Sequence, residues 1–120
     1  MSCLFCNIVD KQIPADIVYE DDHVLAFRDI NPHAPQHMLV IPKKHISTIN
    51  DAEEADAQTL GQLSLAAAKL AKQLGFSEDG YRTVMNCNQH GGQTVYHIHL
   101  HLLGGKAMGW PPYTDQLKTV

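Results

Sequence analysis

Apolar residues in this chain recur with two different periods, and each change of period marks an element. Leu4, Phe5, Ile8 and Val9 fall at helical spacing behind Ser2, a residue type that caps helix N-termini by accepting a backbone N–H. The pattern predicts a short helix over residues 3–11, stopped by Pro14, whose ring cannot continue it. Residues 17–20 and 24–29 read as strands joined by the tight turn Asp21-Asp22-His23. Pro32 and Pro35 then hold a loop, and residues 37–41 form a third strand that Pro42 stops.

From residue 52 to residue 74 the period lengthens. Leu60, Leu63, Ala67, Leu70 and Leu74 make one apolar helical stripe, and Leu65, Ala66 and Ala68 add a weaker second face. Two apolar faces predict a subunit contact beside the core. Gly75 stands where helices commonly end. Residues 81–86 and 96–103 read as fourth and fifth strands, with the glycine-rich loop His90-Gly91-Gly92-Gln93-Thr94 between them. Without βαβ alternation, this predicts an α+β domain, its mostly antiparallel sheet covered by helix on one face.

The 120 residues suffice for one domain and no more, and 44% hydrophobic content supports a real core. A formal net charge of −4 gives no electrostatic support for nucleic-acid binding. No apolar stretch is long enough for a membrane span, and the N-terminus lacks signal-peptide character, so the expected location is the cytoplasm. The 3 cysteines, an odd number in a reducing compartment, argue against a disulfide framework.

Histidine is the unusual constituent, with 8 residues, several of them clustered. In Tyr96-His97-Ile98-His99-Leu100-His101-Leu102-Leu103, strand alternation sends Ile98, Leu100 and Leu102 to the core and the three histidines to the opposite face. Three imidazoles on one face suit metal binding, or nucleophilic and acid–base catalysis at phosphorus. Neither Asp nor Glu occurs between residues 80 and 106 to complete a catalytic zinc site, which favours histidine chemistry. The Gly91-Gly92-Gln93-Thr94 loop offers backbone N–H groups and a hydroxyl to an anion. Cys3-Leu4-Phe5-Cys6 is a CxxC, by itself equally readable as two thiols packing a small helix. His23, His33 and His90 fall in turns and read as solvated, and Cys87 stands apart as a packed thiol.

The run Gly92-Gln93-Thr94-Val95-Tyr96-His97-Ile98-His99-Leu100-His101-Leu102-Leu103-Gly104-Gly105 carries a His-x-His-x-His signature followed by Leu-Gly-Gly. With the block from Phe27 to Pro32, the block His37 to Ile46 and Trp110-Pro111-Pro112, it resembles the histidine-triad (HIT) superfamily, and in particular its Hint branch of nucleoside phosphoramidate hydrolases. The resemblance implies a HIT-like fold with about five antiparallel strands, one long helix and a short N-terminal helix. It implies a HIT domain over residues 1–103, a tail over 104–120 packing near the active site and the dimer interface, and a sheet continued across a homodimer.

By the same resemblance His99 is the nucleophile and forms a covalent nucleotidyl-imidazole. His101 contacts phosphate and leaving group, while His97 and His37 complete the catalytic set. Asn86, Gln93 and Thr94 correspond to phosphate-binding positions. Asp29 corresponds to the carboxylate that accepts the ribose hydroxyls, and Phe5, Ile8, Ile13, Phe27 and Leu39 to the purine slot. Thr94 stands where Ser is commoner, and the tail after Pro112 departs from the branch. Some members bind a structural zinc at positions corresponding to Cys3, Cys6, His45 and His97. The chemistry itself needs no cofactor. The implied substrate is a purine nucleoside phosphoramidate, with a dinucleoside polyphosphate hydrolase or a purine-nucleotide-binding interaction module as alternatives, and neither nucleic acid nor membrane is an expected partner.

Overall fold

Alternation in the strands sorts side chains onto two faces, and both faces are covered. The computed structural model describes residues 3–112. Its elements are α1 (Leu4–Val9), β1 (Ile17–Glu20), β2 (Val24–Arg28), β3 (Gln36–Pro42), α2 (Ala57–Gln73), β4 (Tyr81–Val84), α3 (Asn88–Gly91) and β5 (Leu100–Gly104), with single 3-10 turns at Ile49–Asp51 and Glu54–Asp56 before α2. The strands form one antiparallel sheet in the order β1-β2-β3-β5-β4.

Register carries each face across the sheet. Ala26 pairs with Val40, which pairs with Leu100, and Met38 pairs with Leu102. Together with Val24 and Ile98, these residues pack against Leu63, Ala66, Ala67, Leu70 and Ala71 of α2. On the opposite face Leu25 pairs with Ile41, and Phe27 with Leu39. There they meet Phe5 and Ile8 of α1. Leu39 also pairs with His101, so the histidine face is the α1 face. The long helix covers one face as expected, and the short N-terminal helix α1 roofs the other.

Several boundaries differ from expectation for identifiable reasons. The cap of α1 is Cys3, whose Sγ accepts the Cys6 N–H at 3.3 Å; Ser2 lies outside the described residues. The helix ends in a turn with Lys11 at φ 61, well before Pro14. The long helix starts at Ala57 rather than residue 52 because Asp56 is already engaged, accepting the Glu53 N–H at 2.9 Å and Lys44 Nζ at 2.6 Å. The fourth strand stops at Val84, and β5 begins only at Leu100. Before it, the Ile98 N–H leaves the ladder for Ile46 O at 2.7 Å. Ile98 nevertheless faces the same core as Leu100 and Leu102, so the in–out alternation survives without the ladder.

On α2, Ala66 joins the core stripe while Leu65 and Ala68 stay exposed. Residues 105–112 follow β5, and Gly109 O accepts from Arg82 of β4 at 2.6 Å. Residues 113–120 of the expected tail lie outside the described residues.

Gly104 of β5 lies against Phe76, three residues past the end of α2. A Cβ there would lie 2.4 Å from a carbon of the buried Phe76 ring. Gly104→Ala therefore costs about 2–3 kcal/mol through overpacking, read as a lower urea midpoint at unchanged slope.

Candidate active site

Four histidines form a file on the α1 face. His33 and His37 ring centroids are 5.6 Å apart, His37 and His101 5.2 Å, His101 and His99 5.0 Å. The last two line a cavity of about 310 Å³, within the range of small-molecule sites. Its apolar wall is Phe5, Ile8, Ile13, Phe27 and Leu39, and Asp29 and Thr94 stand at its polar end.

Backbone partners fix which ring nitrogen carries each proton. A carbonyl can only accept, so the 2.9 Å contact of His99 Nδ1 with His97 O is an N–H donated by His99. In the neutral ring Nε2 then keeps its lone pair. A backbone amide can only donate, so the His33 N–H, 3.0 Å from His37 Nδ1, makes that nitrogen an acceptor. The proton of His37 therefore sits on Nε2, which is 2.9 Å from His101 Nδ1 and 3.4 Å from Asp29 Oδ2. His101 accepts at Nδ1 and holds its own hydrogen on Nε2. The file thus sets a lone pair on His99 beside an N–H on His101.

Burial favours the neutral rings this pattern requires. It pushes the His101 pKa down to about 4, with His99 and His37 nearby adding to the effect and Asp29 opposing it. His37 also lies below the ordinary histidine value, chiefly through burial, with Asp29 again opposing. Depressed histidine pKa values mean that the unfolded chain binds more protons between about pH 4 and pH 6.5. The stability His101 contributes is therefore complete above 6.5 and is lost as pH falls toward about 4. At pH 5 the loss is about 2 kcal/mol. Chelator-treated protein should melt earlier at pH 5 than at pH 7, and His101→Asn should flatten that difference.

His97 does not face the cavity. It is fully buried, Nε2 donates to Pro42 O at 2.8 Å, and Nδ1 points at Cys3 Sγ (3.5 Å), Cys6 Sγ (3.5 Å) and His45 Nδ1 (3.2 Å). Burial pushes its pKa down. Cys6 Sγ lies 3.3 Å from His45 Nδ1. Burial, aided by Cys3, pushes the Cys6 thiol up to about 11, so without a cation the sulfur keeps its proton. Zinc–ligand bond lengths put tetrahedral N···N edges at about 3.4 Å and N···S edges at about 3.6 Å. The donor set fits a zinc ion, and the Pro42 carbonyl fixes the tautomer of His97 as carbonyls behind zinc-bound imidazoles do. Asp29, His37 and His101 also converge, with the hydrogen on His37 Nε2 lying between them.

Of the three residues expected at the phosphate, Thr94 lines the cavity, and Gln93 and Asn86 are engaged within the loop behind it. Gln93 is buried: Nε2 donates to Ser47 O and Val95 O, and Oε1 accepts from Asn88 N. Asn86 Nδ2 donates to Gly91 O at 2.6 Å. Neither lines the cavity. The glycine loop forms the short helix α3, and its Gly92 and Gln93 amides bond back to Gln89 O and Asn88 O. These groups shape the loop that presents Thr94. His23 and His90 are exposed as expected, and Cys87 is half-buried away from the other cysteines. The His33 ring is exposed too, but sequence reasoning missed its amide, which sets the His37 tautomer. It also missed Ile30, fully exposed at the cavity mouth. An apolar residue directly after Asp29 was the available signal.

Residues 10–108 match the HIT domain family. The chain belongs to the HIT family. This HIT protein is 56% identical over 106 residues to a purine nucleoside phosphoramidase of Escherichia coli K12, a match covering 88% of this chain and 89% of that one. A HIT family hydrolase from Legionella pneumophila superposes with a TM-score of 0.91 at 58% identity, over 93% of this chain and 100% of the other. A zinc-bound histidine triad protein from Mycobacterium smegmatis gives 0.76 at 35% identity, over 88% and 76%.

Proposed function

We propose that this HIT protein hydrolyses purine nucleoside phosphoramidates at the P–N bond, with His99 as nucleophile. The observation that carries this reading is the His97 O···His99 Nδ1 bond of 2.9 Å, which leaves the Nε2 lone pair of a cavity-lining imidazole free. The apolar slot takes the purine, Asp29 the ribose hydroxyls, and Thr94 a phosphate oxygen.

The reaction runs in two displacements. His99 Nε2 forms a bond to phosphorus as the bond to the amine nitrogen breaks. The departing nitrogen takes the proton of His101 Nε2, while the His37 Nε2–H shifts toward His101 Nδ1 and limits the negative charge left on that ring. Water then attacks phosphorus, returns a proton to His101 and frees His99. The products are a nucleoside monophosphate and an amine.

Cys3, Cys6, His45 and His97 hold a structural zinc in this reading; the chemistry at phosphorus does not pass through it. The protein works as a homodimer. Support comes from β4, an edge strand of the sheet, and from exposed Leu65 and Ala68 on α2. No described helix is long and apolar enough to cross a membrane, and three free cysteines suit the reducing cytoplasm.

Rapid quenching with adenosine phosphoramidate, followed by mass spectrometry of intact protein, tests the mechanism. An acid-labile adenylyl adduct mapping to His99 is expected. Turnover with no adduct at any quench time would rule out the covalent route, and faster turnover of a diadenosine polyphosphate would reassign the substrate.

A further inference from the structure

The two cysteines bracket the residue that closes the purine slot. Phe5, buried between Cys3 and Cys6, packs edge-on against Phe27 (centroids 5.4 Å), His99 (5.1 Å) and His97 (6.0 Å). One ring therefore touches the slot wall, the nucleophile and a member of the Cys₂His₂ donor set. We propose that Phe5 is a positioning residue coupling that donor set to the cavity, so that zinc and a purine nucleotide each tighten the other's binding. The inference rests on the zinc and nucleotide readings above and adds an energetic link between them.

The link follows from how α1 is held. It has 6 residues, far fewer than a helix needs to persist alone in water. At its start, the Cys3 sulfur that joins the donor set is also the helix cap. On its buried side, Phe5 and Ile8 form cavity wall. Fixing a residue costs about 1–2 kcal/mol of backbone entropy. Packing of Phe5 and Ile8 holds α1 in place; whichever ligand binds first restricts its remaining freedom, and the second meets less of that cost.

Coupling of this kind is reciprocal: the factor by which nucleotide tightens zinc equals the factor by which zinc tightens nucleotide. The test uses full-length protein stripped with a chelator. Zinc affinity is measured by competition with a chromophoric chelator, with and without saturating AMP, and AMP affinity by calorimetry, with and without zinc. Both ratios should agree and reach about fivefold or more.

Phe5→Leu keeps apolar bulk but loses the aromatic edge, and should bring the ratio below about twofold while zinc affinity without AMP stays within about threefold. Ile8→Ala should weaken AMP yet keep the ratio. Equal zinc affinity with and without AMP overturns the coupling while leaving both readings standing. Full coupling in Phe5→Leu overturns the assignment to Phe5. Absence of zinc binding, or of AMP binding, removes the corresponding reading and the coupling with it.

Discussion

Replacing His99 by Asn lowers hydrolysis of adenosine phosphoramidate by about four orders of magnitude or more, and leaves AMP affinity within about threefold. The asymmetry follows from what Asn keeps and what it loses. Its side-chain amide can still donate to His97 O, where His99 Nδ1 donates now. Its bulk sits against Phe5, so the slot keeps its shape. No nucleophilic nitrogen is left to attack phosphorus, and the two-step route closes. The residual rate reflects substrate orientation and the remaining polar contacts. Steady-state rates with AMP calorimetry on the same preparation check it. A loss of less than tenfold, or a parallel collapse of AMP affinity, would mean that His99 supports binding and another group does the chemistry.

What the sequence made legible was set by period and chemistry together. The alternation of Ile98, Leu100 and Leu102 with three histidines separated the core face from the histidine face, although backbone pairing begins only at Leu100. A period reports which side of the chain is buried, and residues 97–99 are buried without being in a ladder. His97 shows where that logic stops. It shares the face of His99, yet its ring turns to the cysteines, because the Pro42 carbonyl and the donor set claim both its nitrogens.

Gln93 and Asn86 show what a sequence leaves open for polar residues. A sequence names a donor but not its partner, and here backbone carbonyls win both side chains. The roof formed by α1 was legible only through the resemblance, which set Phe5 and Ile8 in the purine slot. Helical spacing gave these residues an apolar face but not the face of the sheet that it closes over. The His33 amide could not be read at all, since a backbone N–H has no residue-type signature.

The second large effect separates proton donation from attack. His101→Asn should slow hydrolysis of an alkylamine phosphoramidate by about 10²–10⁴-fold. The same variant should slow a nucleotidyl substrate with a leaving group stable as an anion, such as a nitrophenolate, by less than about tenfold. The reason lies in the tautomer chain. His37 Nε2–H directs its hydrogen at His101 Nδ1, so His101 presents Nε2–H to the cavity, and an alkylamine cannot depart without that proton. The substituted asparagine can accept from His37 through its Oδ1 and so keeps His37 and Asp29 in place. It has no acidic N–H to give. Attack by His99 is untouched, so an anion that leaves unaided should still be displaced at near the normal rate. Equal losses on both substrates would place His101 in binding or in attack, and would break the link between the His37–His101 hydrogen bond and amine departure.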